Sequence, residues 1–157
     1  MGNQYAGYMN AFQKERLGWL PSSQVVTTTG TYHLSPLALT TAPGPFALKI
    51  LKSTDTSGRR VWYYLEYRTQ IGWDMYVLPG VVVHTGNDVY PNTSFEEDLQ
   101  PLSATFDATL DAGQSFADAA LGLTITTVST DATGASIAIQ IGASAAPKPS
   151  GKPLIHL

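Results

Sequence analysis

The stretch FALKILKSTDTSGRRVWYYLEY, Phe46 to Tyr67, decides the reading of the fold. Two runs rich in β-branched and aromatic residues, Phe46–Leu51 and Val61–Tyr67, flank a turn-forming segment from Asp55 to Gly58, which is the pattern of an antiparallel hairpin. Outward from this hairpin the same rhythm recurs. Val25–Thr29, Gly30–Leu34, Gly80–His84, Ala104–Leu110, Gly122–Ser129 and Ser136–Ile141 read as further strands. TTAPGP at 40–45, LPG at 78–80 and STDATG at 129–134 punctuate them, and Leu121–Ser129 with Ser136–Ile141 reads as a second hairpin. Seven or eight short strands with turn signals about every ten residues predict a mostly β fold, an antiparallel β-sandwich.

At 157 residues the chain has one domain's length, enough to bury about two-thirds of its unfolded surface. Nine Lys and Arg stand against 12 Asp and Glu, 13% of residues are charged, and no block of like charge occurs. Nothing in this balance attracts nucleic acid or an anionic membrane. The absence of cysteine excludes disulfides, thiolate zinc ligands and thiol nucleophiles on this chain. The first thirty residues hold no apolar run of signal-peptide length, and the longest apolar stretch, around Gly80–Val83, is far too short to span a bilayer.

One short helix is expected before the strands. Asn10 can cap it, Gln13 falls at the capping-box position, and Gly18 stands where the chain can leave in a left-handed turn. A helix near Asn10–Leu17 has too many apolar residues in and around it (Met9, Phe12, Leu17, Trp19, Leu20) to be stable alone, so it must dock on something. The expected organisation is an N-terminal helical segment at 1–20, a sandwich at 21–144 and a Pro/Ser/Gly-rich linker and tail at 145–157. Residues 91–102, with Glu96, Glu97 and Asp98, read as a long loop over the sandwich.

Aromatic residues concentrate in VWYYLEYRTQIGWDMY, Val61 to Tyr76. Strand alternation sends Trp62, Tyr64, Glu66 and Arg68 to one face and Val61, Tyr63, Leu65 and Tyr67 to the other. One face must be core. The other, with Trp73 and Tyr76 from the following loop, can form a platform for sugar rings or a peptide; the plainer reading is a cross-strand aromatic ladder covered by the helix or the acidic loop. Glu66 and Arg68 can pair with each other, which adds little if the pair is exposed.

Other constellations carry less. His33, His84 and His156 are far apart and no HExxH occurs, so no helix-borne zinc site is expected. His84, ending the VVVH run, reads as a strand-end residue with a satisfied hydrogen bond. No GxSxG elbow supports a nucleophilic serine. Glu96–Asp98, or Asp107 with Asp111, can approach a hard cation, but a solvated acidic loop is the simpler account. Asn92-Thr93-Ser94 matches a glycosylation acceptor and equally a turn.

MNAFQKERLGWL (Met9 to Leu20), followed by ALKIL (Ala47–Leu51), YYLEYR (Tyr63–Arg68), GVVVH (Gly80–His84) and DAGQSFAD (Asp111–Asp118), resembles the C-terminal half of gametolysin-like, metzincin-type zinc metallopeptidases. KERLGW and LEYR carry most of the likeness. The resemblance implies that Met1 and Gly2 fall on the family's Met-turn and that the helix bearing the three zinc-binding histidines and the general-base glutamate is missing from this sequence. The implied identity is a non-catalytic fragment of a secreted or cell-surface peptidase, with zinc in the parent enzyme only and the absent catalytic region as its partner. The alternative is a stand-alone module binding polysaccharide or protein through Trp62, Tyr64, Trp73 and Tyr76.

Overall fold

The computed structural model describes residues 7–96 and 109–142. Within them helix α1 spans Ala11–Arg16, and strands β1 to β10 span Gln24–Val25, Gly30–Leu34, Leu48–Thr54, Arg60–Arg68, Gly80–Asn87, Phe95–Glu96, Thr109–Leu110, Ser115–Asp118, Leu123–Asp131 and Gly134–Ile141. They form two sheets. One has the order β1-β3-β4-β5-β6, with β7 also pairing β5; the other has the order β2-β10-β9-β8.

Both expected hairpins form. In the first, Asp55 Oδ1 accepts from the backbone N–H of Ser57 and Arg59, and Gly58 takes a positive φ of 78°, so side chain and backbone together close the turn. In the second, Asp131 Oδ1 does the same for Thr133 and Gly134. The apolar faces of the two sheets meet in one core, where Leu48, Ile50, Tyr63, Leu65, Val81 and Val83 face Leu34, Leu123, Ile125, Ile137 and Ile139. This is the sandwich that the alternation predicts, with two departures. The pairing of β1 with β3 is parallel, as is the bridge from Pro36 to Tyr67. The short strands β6 and β8 were not marked by period, because two and four residues are too few to display one.

Helix α1 docks on the outer face of the larger sheet. Asn10 Oδ1 accepts from Gln13 N at 2.9 Å as the N-cap, and Gly18 (φ 72°) releases the chain as expected. Phe12 is 1% exposed and packs with Ala11, Leu37, Phe46, Trp62 and Tyr64 in a second core. Its ring meets Tyr64 edge-on at 5.4 Å and lies over Gly86 of β5, where any Cβ would overlap it. Strand β4 is therefore buried on both faces from Trp62 to Arg68.

The Phe12→Ala variant is expected to lose about 3–5 kcal/mol in urea denaturation. Gly86→Ala should also destabilise the wild type, yet cost clearly less in the Phe12→Ala background, where the new methyl enters vacated space. Strict additivity in this double-mutant cycle would show that the ring does not rest on Gly86.

Candidate functional site

The polar half of the covered β4 face is a buried ion network. Glu66 is 0% exposed, Arg68 7% and Asp74 0%. Arg68 Nε donates to Glu66 Oε1 at 2.6 Å, and its Nη1 donates to both Asp74 oxygens and to the Tyr8 carbonyl, each at 3.0 Å. The other Glu66 oxygen accepts from Ala11 N, and Asp74 Oδ1 accepts from Tyr8 N at 2.7 Å. The network thus clamps the segment leading into α1 onto β4 and the Gly72–Asp74 turn onto both. Burial pushes the Glu66 carboxyl up, but the Arg68 charge, the neighbouring His84 and the Ala11 N–H outweigh it and hold the group down at about 2. The expected Glu66–Arg68 pair exists, and the helix segment that covers it makes it a buried pair, for which desolvation and Coulomb attraction are both large.

Beside this network lies a cavity of about 300 Å³ between β4, β5, β6 and residues 7–10. His84 stands on its wall, within β5 and not at its end. His84 Nε2 is 3.3 Å from Glu66 Oε1, but the two are not aligned for a hydrogen bond, and Nε2 is buried without a hydrogen-bond partner. The expectation of a satisfied strand-end histidine is corrected on both counts: β5 continues to Asn87, and Arg68 already occupies the Glu66 oxygen that faces the imidazole. Glu96 of β6 pairs in register with His84 at the exposed rim, and Val77 and Val82 supply an apolar wall.

The loop after β4 projects beside this cavity. Ile71, Trp73, Met75, Tyr76 and Leu78 are 37%, 69%, 53%, 66% and 56% exposed, while Asp74 in their midst is fully buried in the Arg68 network. An apolar apex is thereby held on a charged root.

The four aromatic residues proposed from sequence as one platform separate into two groups. Trp62 and Tyr64 are buried under α1. Lys49 Nζ sits 5.0 Å from each ring centroid, Arg60 5.2 Å from that of Trp62, and Glu15 accepts from the Tyr64 hydroxyl. Their faces are covered by cations and by Phe12, so they do not present a stacking surface. Trp73 and Tyr76 are exposed on the loop. Met1, Gly2, Glu97, Asp98, Asp107, His156 and the 145–157 tail lie outside the described residues. Among the described residues no three His, Asp or Glu side chains converge to hold a metal ion. His33 on β2 and His84 on β5 belong to different sheets.

Asp74 and the placement of His84 were missed in the sequence. A signal for the network was present: charged Glu66 and Arg68 share an alternation face with Trp62 and Tyr64, a combination that is costly unless ions are paired under cover. No protein-family model, curated protein or solved structure matches the chain.

Because the Glu66 carboxyl sits below its ordinary value of 4.5 in the folded chain, its contribution is complete above that value and is lost as pH falls towards about 2. Wild-type stability should decline through this acid window. Glu66→Gln should be less stable by about 3–5 kcal/mol at neutral pH, leaving Arg68 poorly compensated, and should show a shallower acid decline. Urea midpoints from pH 7 to 2 measure both, and parallel curves would mean that Glu66 does not carry the dependence.

Proposed function

We propose that this chain acts as a non-catalytic β-sandwich binding module that grips a protein partner through the 71–78 loop. The observation that carries this reading is the clustering of five large exposed apolar side chains within eight residues, fixed at their base by the buried Asp74 carboxylate. A contiguous exposed apolar patch on a rigid support is the usual mark of an interaction surface, and tethering at Arg68 lowers the ordering cost of binding. Ile71, Met75 and Leu78 interleave with the rings, which favours a protein over a polysaccharide, whose sugar faces call for coplanar rings with polar neighbours.

A second reading, a fragment of a zinc metallopeptidase that buttresses an absent catalytic region, draws on a different observation. KERLGW and LEYR, the segments that carry the resemblance, meet through their neighbours: Glu15 accepts from the Tyr64 hydroxyl, and Ala11 and Tyr8, just before KERLGW, join Glu66 and Arg68. Coding sequence for HExxH in frame directly upstream would support it, and chelator-sensitive casein cleavage by the chain alone would overturn the non-catalytic view in either form.

The Trp73→Ser/Tyr76→Ser variant should keep the wild-type urea midpoint to within about 0.5 kcal/mol. It should lose a stoichiometric protein partner that copurifies with the wild-type chain from the cells that make it. Retention of the same partner by the variant would refute the loop assignment. Saturable tryptophan quenching by soluble glucans, xylans or mannans would move the ligand class to carbohydrate.

A further inference from the structure

We propose that a second pocket, at the C-terminal end of α1, binds a small monocarboxylic acid: one carboxylate on a short aliphatic stem. The pocket measures about 210 Å³ and lies between Glu15 and Arg16 of α1, Lys49 of β3, Arg60 and Trp62 of β4, and Asp88 beyond β5. The Glu66–Arg68–Asp74 network holds the opposite end of the helix, and the inference goes beyond the 71–78 loop reading without resting on it. Charge, donor count and shape each support it.

Three cations, Arg16, Lys49 and Arg60, stand here against two carboxylates, Glu15 and Asp88, which leaves one positive charge in excess. The whole chain carries net −3, so this excess runs against its overall balance. A partly covered site with one surplus positive charge is neutralised by a monoanion, left negative by a dianion, and repels an ammonium group.

The acceptors in the pocket are already engaged. Glu15 Oε1 accepts from Lys49 Nζ and the Ser23 hydroxyl, each at 3.1 Å, and Oε2 accepts from Lys49 Nζ at 2.9 Å and the Tyr64 hydroxyl at 2.6 Å. Asp88 Oδ1 accepts from Trp62 Nε1 at 2.9 Å and Oδ2 from Arg60 Nε at 2.8 Å. Donors are left over. Among the described residues Arg60 bonds only through Nε, so both its Nη groups are open, and Arg16 commits one hydrogen of each Nη to the Asp88 and Val89 carbonyls. A guanidinium fork with open Nη hydrogens matches a planar carboxylate. Lys49, whose side chain is 15% exposed, supplies charge from below.

Shape limits the stem. Lys49 and Arg60 lie over the Trp62 ring and Lys49 over that of Tyr64, so a sugar or aromatic ring finds no open face to stack on. Leu51 is 44% exposed and pairs in register with Trp62, on the strand face it shares with Lys49. It offers a few aliphatic carbons a resting place at the rim, and a pocket of this volume is below the size that drug-sized ligands need.

The test titrates the full chain with propionate, and separately with 1-propanol, propylammonium and inorganic phosphate at constant ionic strength, following the Trp62 indole N–H by NMR. Propionate should shift that signal saturably with a dissociation constant on the order of ten millimolar. Propanol and propylammonium should give no saturable shift, and phosphate should bind more weakly than propionate. Arg60→Gln, at a side chain 54% exposed, should weaken propionate binding about fivefold. Arg59→Gln removes an equal charge from the neighbouring position, where the side chain is held by Asp55 and Tyr90 outside the pocket, and should change the affinity by less than about twofold. The absence of a saturable propionate shift, tighter binding of phosphate, or equal losses in the two arginine variants would overturn the proposal. Trp73→Ser/Tyr76→Ser should bind propionate as the wild type does; loss of binding there would place the site on the loop and overturn it too. Should that variant keep its protein partner while propionate binds, the loop reading alone fails.

Discussion

The burial of Arg68 between Glu66 and Asp74 is the constraint on which the rest of the arrangement depends. A guanidinium removed from water needs its charge matched and its donors filled, or the cost is several kcal/mol. Here one guanidinium reaches a carboxylate on its own strand, a second carboxylate six residues on, and the carbonyl of Tyr8. Those partners lie on three separate pieces of chain. Satisfying Arg68 therefore fixes where the N-terminal segment crosses β4 and how the 71–78 loop leaves it.

The second core follows from that placement. With Tyr8 and Ala11 tied to the network, α1 descends along β4 and sets Phe12 over Gly86. A six-residue helix has no independent stability, and its order here comes from the apolar contacts of Phe12 and the Ala11 N–H bond to Glu66 at one end and the Glu15–Tyr64 hydrogen bond at the other. The larger sheet thereby has an inner face that makes the sandwich and an outer face that holds the polar cavity. Rigid strands under both layers give the cavity walls and the loop root fixed positions, which is what recognition at low ordering cost requires.

Much of the fold was legible because alternation and turn chemistry are local. The Asp55–Gly58 and Asp131–Gly134 turns are specified by residues within four positions of each other, and the assignment of Trp62, Tyr64, Glu66 and Arg68 to one face follows from the pleat alone. The candidate site was legible only in part. That Glu66 and Arg68 share a face could be read; that Asp74, His84 and Glu96 join them could not, since nothing local brings a turn, a neighbouring strand and an edge strand to the same side chains. Trp62, read on a strand, and Trp73, read on the following loop, join one platform in the sequence reading, yet one is 8% exposed and the other 69%.

What the sequence by itself determined is the longer strands, the two hairpins, the capped helix and its need for a surface, because each depends on spacing and turn residues a few positions apart. Only the tertiary structure decided which face of β4 the helix covers, that the charged pair becomes a buried network, and that the aromatic residues divide into a covered pair and an exposed loop. Exposure depends on what lies above a side chain, and the segment that lies above β4 comes from the far N-terminal end of the chain.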